Sequence, residues 1–401
     1  MTLPFDCDVI VSGGGPVGLC TALLLARRGL SVRVFEAEAG LSEDLRASTF
    51  HPPTLDMLEP LGITDRLIAQ GLVCPSWQIR LHPSGERAVF DLSVLADETR
   101  HPYRLQCEQW KLSRALLDLL GKEPNVEITF GSALSHMEQD EAGVSVRVTA
   151  QQGDRSLRTR MLVGADGSRS FVRRALGLPL EGQTYPETTL LVTTTFPFED
   201  HLPGLSNVSY CWKEGGNFSL LKVPGRWRVS IYPREDVPVE DQLTDEAIEA
   251  SLQDIVPRAE RYDVLEKRAY RVHQRIVPVY HVGRAALVGD AAHLNSPAGG
   301  MGLNGGLHDA FALVEAIADI LQKGAGLQRL ALYDRQRRPI AAEQILAQAD
   351  RNRARMREKD PARRRAILAD LQALTRDRTA LKAHLMKSSM IEGLRQSRVA
   401  A

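Results

Sequence analysis

Cys7-Asp8-Val9-Ile10-Val11-Ser12-Gly13-Gly14-Gly15-Pro16-Val17-Gly18 decides how this chain folds. The short apolar run Cys7 to Ser12 reads as a strand, the glycines supply G-x-G-x-x-G, and Val17 to Arg28 carries a helical apolar period that stops at Gly29. Ser31 to Glu36 reads as a second strand ending in an acid. This order suits dinucleotide binding. Gly13 permits the tight turn, Gly15 lets a pyrophosphate meet the backbone beside Pro16 and Val17, and Gly18 allows close helix–strand packing. Glu36, roughly 20 residues on, can hold ribose hydroxyls. A lone G-x-G-x-x-G is a weak signal; strand, motif, helix, strand and terminal acid in succession is a strong one.

Two further stretches repeat the arrangement. Gly289-Asp290-Ala291-Ala292-His293 runs through Pro297 to Gly299-Gly300-Met301-Gly302-Leu303-Asn304, with the apolar Ala285 to Val288 before it and an apolar-periodic segment from Leu307 to Leu321 after it. Strand, glycine-rich turn and helix point backbone N–H groups, and a helix end carrying roughly half a positive charge, at a flat or anionic group. Asp290, just past the strand end, can accept hydrogen bonds from sugar-type hydroxyls. Between the two, Met161 to Ser170 reads as strand and Asp-Gly turn, with a helix through Leu176.

Taken together, these stretches resemble the motifs of the single-component aromatic hydroxylases, the p-hydroxybenzoate hydroxylase-like FAD monooxygenases. The family's G-D-A-A-H, a proline, then G-G-Q-G-M-N is met with Met301 in place of the usual Gln and Leu303 in place of Met, and Asp309-Ala310 is retained. The middle stretch matches x-G-A-D-G-x-x-S-x-V-R. Arg46 to Thr54 with a helix Leu55 to Leu61 is similar to R-A-x-x-x-x-P-x-T-x-x-x-L, and Tyr333 to Pro339 to Y-x-x-x-R-x-P.

The resemblance implies noncovalent FAD. Gly289, Asp290 and Gly300 would lie in its second cradle, and backbone N–H groups of Gly302, Leu303 and Asn304 would face the flavin N1/O2 side. Asp166 and Arg173 would help hold flavin and nicotinamide, Arg46 would lie against the flavin, and the Pro297 carbonyl would face the reaction centre. Gln106 and Gln109 are both candidates for a flavin-contacting glutamine, and spacing does not choose between them. The implied reaction uses NADH or NADPH and O2 to hydroxylate a phenolic or hydroxylated heteroaromatic small molecule through a flavin C4a-hydroperoxide. An FAD-dependent epoxidase, halogenase or reductase, or a non-catalytic flavin-binding protein, is the alternative reading; the halogenase signature W-x-W-x-I-P is absent.

The expected fold is α/β: a Rossmann-like FAD-binding domain (1–75, 101–182, 272–345), an inserted β-rich substrate domain (76–100, 183–271) and a helical C-terminal region (346–401). A hairpin is expected around Pro83-Ser84-Gly85, and 126–130, 136–139 and 144–151 read as a small meander. Tyr185, Tyr210, Trp212, Tyr232 and His273 are candidate substrate-pocket residues. The basic run Arg351 to Arg365 reads as a solvated helix, because acids and Ala interrupt it and no aromatics do. Fifty basic and fifty acidic residues cancel, giving no whole-chain argument for nucleic acid. Five scattered cysteines show no metal-ligand spacing, so no metal is expected and reduced thiols are. No apolar stretch approaches a membrane span of about 18 residues. The expectation is a cytoplasmic monomer or homodimer with no membrane partner.

Overall fold

The structure is a computed structural model and describes residues 4–43, 47–151, 153–234, 236–297 and 299–399. Its first sheet is centred on strand Cys7–Ser12, whose Val9, Ile10 and Val11 are fully buried, as an apolar strand covered on both faces must be. Val32–Phe35 and Arg155–Gly164 flank it in parallel, with Ser12 opposite both Phe35 and Gly164. Ala285–Leu287 continues the sheet beyond Arg155–Gly164, and Val126–Thr129 extends the other side. The meander expected from 126 to 151 is therefore divided. Val126–Thr129 is a parallel edge strand, while Ser132–Gln139 and Val144–Ala150 form an antiparallel ribbon on Arg155–Gly164. The three motif turns, after Ser12, Gly164 and Leu287, all leave from the C-terminal ends of neighbouring parallel strands.

Helix Pro16–Ala26 packs between Gln109–Leu120 and Gly302–Gln322. The last of these starts five residues earlier than its apolar period indicates. Gly302, Gly305 and Gly306 are poor helix formers, but a Cβ on Gly306 would sit 2.8 Å from Val17 and 3.0 Å from the Gly289 Cα. Close packing outweighs propensity there.

In the second sheet the order is His293–Leu294, Val264–Ile276, Glu181–Thr194, Arg226–Ile231, Gly216–Val223, Val208–Lys213, Ser76–Leu81 and Arg87–Asp91. The last two form the expected hairpin. The boundaries placed at 182/183 and 271/272 fall inside strands Glu181–Thr194 and Val264–Ile276. The latter strand pairs with His293–Leu294 as well, so the second sheet is hydrogen-bonded to the segment that carries the Gly-Asp motif.

The C-terminal part is helical, with Asp360 capping Pro361–Arg376 and Asp377 capping Arg378–Ser388 through backbone N–H groups. Leu368, Leu371, Leu381 and Leu385 pack on Trp77 and Phe90, so these helices roof one end of the second sheet. The basic run is only in part the solvated face expected of it: Arg351, Arg363 and Arg365 are exposed. Arg353, Arg355, Arg357 and Arg364 line an internal cavity, and Arg364 donates to the carbonyls of Lys213 and Gly216 at 2.6 and 3.0 Å. No helix among the described residues is long and apolar enough to cross a membrane.

Candidate active site

A cavity of about 710 Å3 runs along the motif turns. The first turn is set by Gly13, whose φ of +107° and 2.4 Å approach of a would-be Cβ to the Ala165 carbonyl oxygen exclude a side chain. A Cβ on Gly18 would lie 2.0 Å from the Gly13 carbonyl oxygen, which is the close helix–strand contact read from the motif. Gly15 differs: a Cβ there would meet no protein atom within 4 Å, so the first turn of helix Pro16–Ala26 opens onto the cavity. The Glu36 carboxylate faces the same space and accepts from the Gly14 N–H at 2.5 Å and from the Glu38 N–H at 2.9 Å. Each carboxylate oxygen keeps further acceptor capacity. The open helix end, the bare backbone beside it and the acid one strand away fit a diphosphate and a ribose.

Asp166 lines the cavity too, but its carboxylate accepts from the Ser170 hydroxyl and from the N–H groups of Phe171 and Val172, at 2.8 and 3.1 Å for the latter two. It caps helix Phe171–Ala175 and so fixes the middle turn. Arg173 is not in the cavity wall. It is buried, and its guanidinium donates to the carbonyls of Ser168 and Ala291, tying the middle turn to the Gly-Asp turn.

The Gly-Asp turn is held from beneath. Asp309 accepts from Arg337 and from the Gly289 N–H, and its other partner is the His293 ring at 2.8 Å. Burial pushes this carboxyl up, but His293 and Arg337 outweigh it and hold it at about 2. Asp290 is exposed to the cavity, with Pro297, Gly300, Gly302 and Leu303. The Pro297 carbonyl accepts from the Gly300 N–H at 3.0 Å, closing the turn. The Asn304 side chain is fully buried and structural: its oxygen accepts from the His51 N–H and its amide donates to the carbonyls of Thr49 and Gly300. The N–H groups of Gly302 to Asn304 begin a helix and have no partners within it.

The structure separates the two glutamines. Gln106, buried on a strand, exchanges hydrogen bonds with Ser48 and Thr49, whereas Gln109 opens helix Gln109–Leu120 on the cavity wall. Arg46 lies outside the described residues.

A second cavity of about 400 Å3 adjoins the first, and Tyr210, Tyr232, Pro297 and Met301 line both. Burial first, then the neighbouring Tyr270 and Tyr210, push the Tyr232 phenol up, so it stays protonated. The other proposed pocket residues are elsewhere. Trp212 is fully buried under the C-terminal helices with its indole N–H on the Arg355 carbonyl at 3.3 Å. Tyr185 donates to Gln274 and Asp350 under the Arg353 guanidinium, and the His273 ring pairs with Thr184. Each uses its polar atom on the scaffold rather than on a ligand.

The chain matches the FAD binding domain family over residues 6–349. It belongs to that family of p-hydroxybenzoate hydroxylase-like flavoproteins. It is 34% identical over 391 residues to the para-nitrophenol 4-monooxygenase of Pseudomonas sp. strain WBC-3, covering 96% of each chain. It is likewise 34% identical to the 6-hydroxy-3-succinoylpyridine 3-monooxygenase of Pseudomonas putida strain DSM 28022 / S16, over 86% of this chain and 87% of that one. The solved p-nitrophenol 4-monooxygenase of Pseudomonas putida DLL-E4 superposes with a TM-score of 0.90 at 32% identity, covering 98% and 99% of the two chains.

Within this FAD family architecture, sequence reasoning missed Arg104, Arg228 and His384. Arg228 reaches Ser48 at 2.8 Å from the second sheet, and Arg104 and His384 line the smaller cavity. A signal existed for the arginines: each stands between apolar neighbours in a strand, where a solvated cation has no place. Asp56, Glu59 and His101 also come together, but His101 and Thr99 bond to Asp56, and Arg100 to Glu59.

Proposed function

We propose that this protein is an FAD-dependent monooxygenase that consumes NADH or NADPH and inserts one atom of O2 into a phenolic or hydroxylated heteroaromatic ring, the other atom leaving as water. The observation that carries the reading is the pairing of the cavity along the glycine turns and Glu36 with a smaller, partly apolar one through a shared wall of Tyr210, Tyr232, Pro297 and Met301. Relatives named as monooxygenases of a nitrophenol and a hydroxypyridine support the ring class. When bound, FAD supplies hydride acceptance from the nicotinamide and the activation of O2.

The residues divide the work by position. The Gly13–Gly15 turn and the helix it opens would take the diphosphate, and Glu36 the ribose. Gln109, on the cavity wall, would be the glutamine that touches the flavin; the commitment of Gln106 to Ser48 and Thr49 supports that choice. The N–H groups of Gly302 to Asn304 would stabilise negative charge on the flavin ring from a fixed helix end. Asn304 and Asp309 position that turn without touching the ligand. Buried Met301 helps exclude water from the shared wall, and Tyr232 presents a protonated hydroxyl to the ring. This chain carries no motif that announces a flavin linkage, so heat should release free FAD.

The test is a panel of phenols and hydroxypyridines, each with its unsubstituted parent, followed by NAD(P)H consumption and product mass under isotopically labelled O2. Label in the product of the hydroxylated rings supports insertion. Turnover that proceeds equally without O2, or label entering only from water, would make the protein a reductase on this fold.

A further inference from the structure

Among the described residues, sulfur occurs at two places in the walls of the two cavities, Met301 and Met356, and Met301 alone borders both. The five cysteines are buried elsewhere. Met301 stands where the family resemblance puts Gln, so a thioether replaces an amide at the wall where ring and flavin would meet. Of the four residues that the cavities share, Tyr210, Tyr232, Pro297 and Met301, only the last carries an atom that takes up oxygen in a single two-electron step.

The turn before it aims that side chain. Gly299 has φ +101°, and a Cβ built there would lie 3.2 Å from the Met301 methyl and 3.2 Å from Asn352 Nδ2. The thioether is thus laid across a bare glycine, with an amide donor from helix Ala347–Met356 close by. Asn352 Oδ1 accepts from Gln348 Nε2 at 3.0 Å, which fixes the direction of that amide. Met301 is only 1% exposed, so reagents reach its sulfur through the cavities rather than across the surface. An oxygen placed on the sulfur would have the Asn352 N–H as a neighbouring donor.

Resting on the monooxygenase reading, we propose that Met301 is the chain's own oxidation site: when NAD(P)H and O2 are consumed with no ring to hydroxylate, peroxide formed at the shared wall passes oxygen to this sulfur, and the sulfoxide ends turnover. NAD(P)H, a proton and O2 first give NAD(P)+ and hydrogen peroxide. A sulfur lone pair then attacks one peroxide oxygen. The S–O bond forms as the O–O bond breaks, and the departing hydroxide takes the proton of the transferred oxygen and leaves as water. Sulfur loses two electrons and peroxide gains them. A polar, chiral sulfoxide replaces a flexible apolar side chain and wets the wall that must stay dry.

The test incubates FAD-loaded protein with NADH or NADPH, catalase and isotopically labelled O2, without a ring, and maps the methionine peptides by mass. Catalase destroys peroxide that reaches bulk solvent. The Met301 peptide should gain one labelled oxygen ahead of every other, Met356 included, while NAD(P)H oxidation declines in step. Hydrogen peroxide added without NAD(P)H and catalase should instead mark the half-buried Met57, Met137 and Met386 first. Met301→Leu, checked by retained FAD and circular dichroism, should hold its own initial rate over the period in which the wild type loses its rate. A Met301 peptide that gains no oxygen while peroxide is released would overturn the proposal. So would the same order of labelling under added peroxide, an equally fast decline in Met301→Leu, or no O2 uptake in the absence of a ring. The reading beneath it is scored apart, by labelled product from phenols: product with Met301 unoxidised removes the proposal alone, and oxidised Met301 with no phenol hydroxylated keeps it and makes the protein an oxidase.

Discussion

Gly13→Ala and Gly15→Ala, two residues apart in one loop, should separate folding from cofactor capture. At Gly13 the new methyl would be 2.4 Å from the Ala165 carbonyl oxygen on a backbone with φ +107°. Left-handed strain of about 1–3 kcal/mol and overpacking of about 1–3 kcal/mol then add to about 2–6 kcal/mol, against a typical net stability of about 5–15 kcal/mol. At Gly15 the backbone is extended, with φ −72° and ψ 176°, and no protein atom lies within 4 Å of the methyl. Protein without FAD should therefore keep its stability or gain about 0.4–1 kcal/mol from a stiffer unfolded chain. The same methyl stands where, on the proposed reading, a diphosphate would approach the helix N–H groups. Losing one charge-assisted hydrogen bond, about 1.5–3 kcal/mol, raises the FAD Kd roughly 10- to 150-fold. Urea midpoints of FAD-stripped protein read the first quantity and flavin fluorescence titration reads the second. Gly15→Ala that binds FAD with wild-type affinity, or that loses as much stability as Gly13→Ala, would refute the reasoning.

Glu36→Ala should weaken FAD binding by about 1.5–3 kcal/mol in the same titration, and an unchanged Kd would remove Glu36 from the site. Asn304→Ala orphans the His51 N–H and the carbonyls of Thr49 and Gly300, and at about 1 kcal/mol or more each it should lower the urea midpoint by about 3 kcal/mol equivalent; a midpoint within error of wild type counts against its hub role. Burial, together with Arg104 beside His51 and Arg337 beside His308, pushes both imidazoles down from 6.5 to about 3. The unfolded chain therefore binds protons that the folded one refuses, and stability should be complete above pH 6.5 and fall towards pH 3 by up to about 1.4 kcal/mol per pH unit for each histidine. Urea midpoints that stay flat between pH 6.5 and 4 would contradict this. All five thiols are free and buried, with Cys20, Cys107 and Cys211 pushed up to about 12 by burial; a thiol reagent at pH 8 should label none until the protein unfolds, and mass spectrometry would show any exception.

What the sequence made legible was local. The packing of Gly18 on the Gly13 carbonyl and the acid at Glu36 depend on residues within one βαβ unit, and their spacing states their geometry; the crowding of Gly13 by Ala165, from a distant strand end, is added by the fold. The choice between Gln106 and Gln109 was not legible, because distant backbone bonds decide it: Cys107 N–H to Ser48 and Gln109 N–H to Ala47 fix where the strand ends and which side chain faces the cavity. Tyr210 and Trp212 alternate onto the same strand face, so periodicity treats them alike. A C-terminal helix covers only the second, through the Arg355 carbonyl. The basic run was legible in part for the same reason: its composition describes a solvated helix, as Arg351, Arg363 and Arg365 are, and only the roof over the second sheet turns Arg353, Arg355, Arg357 and Arg364 towards the cavity.

The interleaving of the two sheets constrains how the chain can be made. Strand Cys7–Ser12, made well before the strands it pairs with at long range, acquires one such neighbour at 155–164, and that neighbour is not covered on its other side until 285–287 has been synthesised. The second sheet waits as long, since Ser76–Leu81 pairs with Val208–Lys213 and the edge at His293–Leu294 closes last. Neither half can finish ahead of the other, so the N-terminal part must stay incompletely paired through most of translation, with apolar strands exposed to other chains. Fragments ending before residue 287 should therefore aggregate rather than yield a soluble nucleotide-binding half, and dependence on chaperones during synthesis follows from the topology rather than from any weakness of the finished fold.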